Sequence, residues 1–357
     1  MKVDYLVVGQ GLAGSLVACL LFERGRKILV VDDGHRTAAS QAAAGIINPI
    51  TGKRLNRPLL VDALLGDAFE VYPRLEILLN ARFFARRVVR RILASADEAR
   101  YWARRRQLDE YRRYLACPDQ SLEEVPRLEA PFGAFAIESA AQLDVPAFIR
   151  ATRRLLATEH ALLEVPFDYT RVRIGTDEVW WNDVRARHLI FCEGYRLVQN
   201  PFFNPIELNP AKGEILTLTA PAFQTGQIVQ GGKWLFRSLN GEVLAGTTYH
   251  WDQLDETISE AARLEIEKGL RLFFSGDYQV TAQRAGVRPV IRADNRPVAG
   301  LHPQHRRLAI LNGLGSKGAL QAPFAARQLI AKIEDNGEIC PEIDACREFL
   351  WKQRRSA

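Results

Sequence analysis

Nothing in this chain of 357 residues approaches the roughly 18 consecutive apolar residues that a membrane-spanning helix requires. Its start, Met1-Lys2-Val3-Asp4-Tyr5, enters a strand pattern directly. The charged, apolar and small-residue regions of a secretory leader are missing, so a cytoplasmic protein is the expectation. The five cysteines, at 19, 117, 192, 340 and 346, are an odd and scattered set that suits neither a disulfide framework nor a metal site. Cys19 and Cys192 sit in apolar segments, as packing residues do. The six histidines form no triad or metal-ligating cluster. Internal repeats, low-complexity tracts and obvious linkers are also lacking. What remains is ordinary globular composition, 47% hydrophobic and 25% charged, in a chain long enough for one large or two ordinary domains.

The formal charge is +6, and much of the excess lies in "ARFFARRVVRRILASADEARYWARRRQLDEYRRY", between Arg82 and Arg113. Solvated helix faces are the first reading of this segment. A patch for nucleic acid or an anionic membrane is the second. Phe83, Phe84, Tyr101, Trp102, Tyr111 and Tyr114 interleave with the arginines. Aromatic residues at helical spacing more often face a core than stack on bases, which ranks RNA binding below the first reading.

Val3–Val8 is a continuous apolar run, as in a parallel strand buried on both faces. A glycine turn, a helix over 16–24 ended by Gly25, and a strand over 27–31 complete the start of a βαβ unit. Residues 38–54 form a loop of small and polar residues, and the pattern over 59–115 is helical. Residues 122–137 read as strand or coil. Residues 143–161 read as a helix with Asp144 at its start, favourable to the dipole. Short strands follow at 172–174, 178–181 and 187–192. The alternation over 208–218 and 231–248, with an Asn240-Gly241 turn, indicates antiparallel strands. Thr257-Ile-Ser-Glu260 reads as a capping box opening a helix to about Phe274. A strand at 308–311 and a helix over 318–333 close the pattern. The α/β pieces at the two ends are expected to form one domain, with the antiparallel middle inserted in it.

Gly9-Gln-Gly-Leu-Ala-Gly14 follows a strand and opens a helix. In that context Gly9 permits the tight turn, Gly11 the approach of a pyrophosphate, and Gly14 close helix–strand packing. The helix N-terminus supplies N–H groups and a positive dipole end. Asp32 ends the second strand at the distance expected of a ribose-binding carboxylate. No basic residue follows at once to hold a 2′-phosphate, which argues against NADP. NAD and FAD share this fingerprint. A second glycine loop, "LNGLGSKGALQAP" (311–323), also runs into a helix. Small residues in "TAASQAAAGIIN" (37–48) would let backbone lie close to a flat ring, although Ser40 alone would serve equally as a helix cap.

Taken in order, "VVGQGLAG", "VVDD", "ASQAAAGIINP", "LDVPAFI", "HLIFCEGY", "PAKGEILTL", "AGTTY", "AGVRPV" and "NGLGSKGALQAP" resemble the D-amino-acid oxidase superfamily of FAD-dependent enzymes, the group of glycine oxidase and sarcosine oxidase, along nearly the whole chain. The resemblance implies an α/β fold. A Rossmann-like FAD-binding domain would form from 1–75, 140–205 and 285–357. An inserted α+β substrate domain with an antiparallel sheet would form from 76–139 and 206–284. It implies that Gly9, Gly11, Leu12, Ala13 and Gly14 hold the pyrophosphate and that Asp32 and Asp33 lie at the adenosine ribose. Ser40, Gln41, Ala43, Gly45 and Ile46 would run near pyrophosphate and flavin, Gly194 near the pyrophosphate, and Val172 beside adenine. The stretch Gly313, Gly315, Ser316, Lys317, Gly318, Ala319 would meet the flavin ring. Its N–H groups and helix dipole would stabilise charge on the reduced ring, and Lys317 would add to that or stand in solvent.

Arg288 matches the arginine that grips a substrate carboxylate in a planar, bidentate fashion, with a structural ion pair as its other reading. Tyr249, on a strand expected to face the flavin, would hydrogen-bond substrate or pack in the core. Lys212 would brace its strand, and Asn48 would approach the ring. With no persuasive cysteine or histidine for covalent attachment, FAD is expected to be non-covalent. The implied reaction is oxidation of the C–N bond of a small amino acid or secondary amine by hydride transfer to flavin, with oxygen or another electron acceptor. The alternatives are a tRNA wobble-uridine-modifying flavoenzyme and a non-catalytic flavin-binding protein.

Overall fold

The computed structural model describes residues 1–34, 38–115 and 125–351; Thr37, Cys117 and Leu122, named above, lie outside them. Six strands form one sheet in the order Val298–Leu301, Leu308–Asn312, His188–Phe191, Tyr5–Val8, Ile28–Val31, Leu162–Leu163. All neighbours are parallel except the pair Val298–Leu301 and Leu308–Asn312. The apolar runs are continuous because both faces are covered. Tyr5, Val7, Val30, Ile190 and Leu311 point into a core with the helices Leu12–Glu23 and Gly318–Asp335. Leu6, Val8, Val31, Phe191 and Ile310 point the other way. There they meet Val179 and Trp181, from a three-stranded sheet of Val172–Ile174, Val179–Trp181 and Val184–Ala186.

An eight-stranded, mostly antiparallel sheet runs Gln279–Arg288, Ala211–Thr219, Val243–Gly246, Trp234–Arg237, Ile228–Gln230, Phe84–Ile92, Ala134–Leu143, Ile46–Ile47. It reaches past the inserted segments expected from sequence. Ile46–Ile47 is its edge, and two of its strands continue to Leu143 and Arg288. One face carries the helix Glu260–Arg271, whose Ile266 and Leu270 pack on Leu216, Val229 and Leu235.

Four local expectations are corrected. The helical pattern over 59–115 is interrupted by the nine-residue strand Phe84–Ile92, paired with Ala134–Leu143. Its twin Arg-Arg pairs imitate a helical charge period, but the partner strand and the β-branched Val88, Val89 and Ile92 favour extension. Nor are all these arginines solvated. Arg90 and Arg91 are buried, Arg90 donating to Gln227 at 2.9 Å and Arg91 pairing with Glu98 at 2.9 Å. Thr257 caps nothing, because Ser259 is the N-cap, its Oγ accepting from Ala262 N at 3.2 Å while donating to Glu214 at 2.8 Å. Finally, the strand before Tyr249 ends at Gly246, which leaves Tyr249 in the following loop. Asp144, expected only to favour the dipole, is the N-cap of its helix, Val145–Thr158, accepting from Ala147 N at 2.9 Å.

Removing one partner of a buried ion pair strands the other charge, at a cost of about 3–5 kcal/mol. Both members of the Arg91–Glu98 pair are only 7% exposed, so Glu98→Ala should lower the unfolding free energy by about that amount. Urea denaturation checks this, and a loss below about 1 kcal/mol would show the pair to be effectively solvated.

Candidate active site

Two parallel strands end level, at Val8 and Phe191, and a third beside them runs two residues further, to Asn312. In open α/β sheets the ligand crevice lies outside the carboxyl ends of the strands, and here the loops leaving those ends are tied together. Cys192 N donates to Val8 O at 2.8 Å, and Asn312 Nδ2 donates to Gly194 O at 3.0 Å. Gly9 has φ +91°, and a Cβ there would stand 2.6 Å from the Cys192 carbonyl oxygen. A Cβ on Gly14 would lie 1.9 Å from the Gly9 carbonyl oxygen. Only glycine therefore lets the turn close and the helix dock.

Above these ends lies a cavity of about 680 Å³, within the range of cofactor sites. Gly9, Gly11, Leu12 and Ala13 line it, with Asp32 and Asp33. Ser40, Ala43, Gly45, Ile46 and Asn48 contribute a second wall. Gly194, Tyr249 and Arg288 line it too, as do Gly315, Ser316, Lys317, Gly318 and Ala319. Gly14, Gln41, Val172 and Gly313 are not among the lining residues. Gly14 packs beneath the turn, and Gly313 lies against Ile291. Gln41 turns its carbonyl to Arg284 at 3.5 Å, and Val172 pairs with Trp181 in the small sheet.

Two helices begin at this cavity without side-chain caps, at Leu12 and at Gly318. Uncapped N-termini leave N–H groups and a positive dipole end for a guest. Leu12 N is the exception, donating to Ser40 Oγ at 3.1 Å; Ser40 thus fastens the 39–42 turn to the first helix. Asp32 accepts from Gln10 N at 2.8 Å and Gly34 N at 3.1 Å, and lies 3.4 Å from Arg153.

Elsewhere in the cavity, Gly315 N donates to Pro289 O at 2.8 Å, which sets the glycine loop beside Arg288. Arg288 donates to Thr247 Oγ1 at 2.8 Å and to Thr248 O at 3.3 Å, and lies 4.6 Å from the centroid of the Tyr249 ring. Burial lowers its pKa, though a guanidinium stays charged in proteins. Lys317 is also pulled down by desolvation. Among the described residues neither cation has a carboxylate partner. Lys212 differs: it is 2% exposed and pairs with Asp255 at 2.6 Å.

The profile of the family described as FAD dependent oxidoreductase matches residues 4–332. The chain belongs to that family. Its structure is similar to glycine oxidase from Geobacillus kaustophilus, with TM-score 0.80 and 20% identity over 100% of both chains. It is also similar to iminodiacetate oxidase from Chelativorans sp., with TM-score 0.76 and 21% identity over 95% of this chain and 97% of the other. In sequence it is 24% identical, over 92% of its length, to the tRNA 5-methylaminomethyl-2-thiouridine biosynthesis bifunctional protein of Marinobacter nauticus, and spans 55% of that protein.

The cavity fits the cofactor of an FAD-dependent oxidoreductase. A glycine cradle and an uncapped helix suit a pyrophosphate, and a second uncapped helix with Lys317 suits a ring that gains negative charge. In this FAD-dependent oxidoreductase, the sequence motifs missed the lining residues Phe167, Tyr169 and Arg196, and gave no role to Glu193 and Thr247, which lie within "HLIFCEGY" and "AGTTY". Glu193 stands just before Gly194. Its carboxylate accepts from Asn200 Nδ2 at 2.7 Å and from the Tyr169 hydroxyl. Burial nevertheless pushes its pKa up from 4.5 to about 7.

A carboxyl whose folded pKa exceeds its unfolded one binds more protons when folded, so it disfavours the folded state once ionised. Stability relative to Glu193→Gln should be highest below pH 4.5 and decline as pH rises through about 7. A total of about 1–3 kcal/mol is expected. Thermal unfolding of both proteins from pH 4.5 to 8.5 reads this directly, and parallel pH profiles would mean that Glu193 ionises normally.

Proposed function

We propose that this oxidoreductase oxidises the C–N bond of a small amino acid or secondary amine that bears a carboxylate. The observation that carries the reading is Arg288, a desolvated guanidinium with no carboxylate partner among the described residues, lining the cavity beside the glycine loop. Buried charge is unfavourable unless compensated, and a guest carboxylate would supply the compensation in the bidentate geometry that arginine favours. Thr247 Oγ1 and Thr248 O fix one side of the guanidinium. The Tyr249 ring flanks it, and Tyr249 would offer a hydroxyl to the substrate.

FAD, when bound, supplies the hydride acceptor. The protein's part is to hold the α-carbon in line by gripping the carboxylate at Arg288. Among the described residues no histidine lines the cavity, and the lining carboxylates found there, Asp32, Asp33 and Glu193, belong to the part we assign to the dinucleotide. The amine would therefore enter neutral, its proton lost to solvent before reaction, and the imine product would hydrolyse in water. Among the described residues Cys192 is the one cysteine that lines the cavity, and burial pushes its thiol far up, which supports a non-covalent cofactor.

The experiment is anaerobic bleaching of the flavin by glycine, sarcosine, D-amino acids and L-proline, in wild type and Arg288→Ala. We expect at least one of these to bleach the wild type. The variant should keep its FAD and lose about 100-fold or more in reduction rate over KM, the scale of an unpaired charge-assisted contact. A flavin that no amine bleaches would make this a non-catalytic flavin protein.

A second reading rests on the basic segment. The helix Ala96–Arg105 leans on the segment 51–56, with Arg105 donating to Asn56 at 3.3 Å, and Thr51 and Gly52 line the cavity. Lys53, Arg54, Arg104 and Arg106 are exposed there. Together with the tRNA-modifying relative, this supports an amine presented on RNA. Filter binding of a tRNA pool across a salt series tests it, the expectation being a steep loss between 50 and 200 mM, on the order of 10³-fold for several phosphate contacts. Absent or salt-insensitive binding removes this reading.

A further inference from the structure

The antiparallel pair Ala211–Thr219 and Gln279–Arg288 places Ala211 opposite Arg288 and Gly213 opposite Gly286. Residues two apart on a strand share a face, so Arg288 stands on the face of the sheet where Gly213 and Gly286 leave an opening. Both glycines line the cavity. Each absence of a side chain is filled by something different. A Cβ on Gly286 would meet Ala39 Cα at 3.0 Å, so that gap admits the 39–42 turn. A Cβ on Gly213 would meet Arg288 Nη2 at 1.8 Å, and its Cζ and Nη1 at 2.1 Å. The guanidinium itself occupies the space of the missing side chain.

We infer that Gly213 is the positioning residue for Arg288 and thereby determines the preference for a carboxylate. This rests on the reading of Arg288 as the carboxylate grip. Seated over Gly213, the guanidinium reaches Thr247 Oγ1 and Thr248 O. Thr247 Oγ1 in turn donates to the Glu214 carbonyl at 2.9 Å, which turns its lone pairs toward Arg288. Two of the five guanidinium N–H groups are thus engaged by this frame, and the others are left for a guest. The three nearest atoms that a Cβ at 213 would meet all belong to the movable end of Arg288. An alanine there has a simple outcome: the strand stays, and the guanidinium leaves its seat. The glycine turn at 9–14, which we assign to the phosphates, belongs to a different loop of the cavity wall.

The test uses the FAD-loaded enzyme and two probes that cannot be oxidised as amines, methoxyacetate and methoxyacetamide, titrated by the change in flavin absorbance. Gly213→Ala should keep its FAD, weaken methoxyacetate at least tenfold and leave methoxyacetamide unchanged. With a bleaching amino acid, KM should rise more than kcat falls. Gly213→Ala/Arg288→Lys should recover part of the loss, because an ammonium needs less room than a guanidinium. If Gly213→Ala alone does not fold or hold FAD, Gly213→Ala/Arg288→Ala must do so, since it removes the atoms that the new methyl meets; a double variant that also fails overturns the inference. Unchanged methoxyacetate affinity in Gly213→Ala, alongside a loss in Arg288→Ala, overturns the inference alone. No methoxyacetate binding by wild type, or none lost in Arg288→Ala, overturns the carboxylate reading and this inference with it.

Discussion

A positive charge withdrawn from water must find a negative partner, and the cavity of this protein withholds one. Arg288 and Lys317 are both desolvated beside two uncapped helix starts, and no carboxylate among the described residues answers them. Other buried cations in the molecule are treated differently. Arg91 meets Glu98, and Lys212 meets Asp255. The contrast separates charges that hold the fold together from charges that wait for a ligand. It also gives the cavity its chemical character: whatever enters it is rewarded for carrying anionic oxygens at defined places.

The architecture delivers these groups from distant parts of the chain. Strand ends at Val8, Phe191 and Asn312 gather loops that supply the glycine cradle, Glu193 and the Gly313–Gly318 turn. The eight-stranded sheet brings Arg288 by the end of its edge strand. Ser40, between them, joins the 39–42 turn to the first helix by accepting from Leu12 N, and the same turn fills the gap at Gly286. The glycine turn at 9–14 and the strand that carries Arg288 are thus mechanically joined, with small residues wherever backbone must come close.

How much of this could be read beforehand depended on whether the signal was local. The first glycine turn, the helix start beside Asp144 and the strand at 308–311 all announce themselves within a few residues, because turn, dipole and strand chemistry are short-range. Strand Phe84–Ile92 did not, since Arg91 and Arg90 reach Glu98 and Gln227, contacts invisible in a charge pattern. Tyr169 and Arg196 line the cavity without any motif, because their place follows from where a three-stranded sheet and a short turn settle. The frame around Arg288 was equally hidden: "KGE" and "GTT" lie some thirty residues apart in sequence and meet only through strand pairing.

The order of the six strands has a consequence for how the molecule comes into being. Tyr5–Val8 pairs on one side with Ile28–Val31, close by in the chain, and on the other with His188–Phe191, which in turn pairs with Leu308–Asn312. On the ribosome one edge of the first strand therefore waits for a partner that emerges much later, and its two apolar faces must be sheltered meanwhile. Such long-range pairing slows folding and lengthens exposure to aggregation. The cavity, lined from Val8 to Leu320, is completed only once the last of these residues has been made, late in the life of the nascent chain.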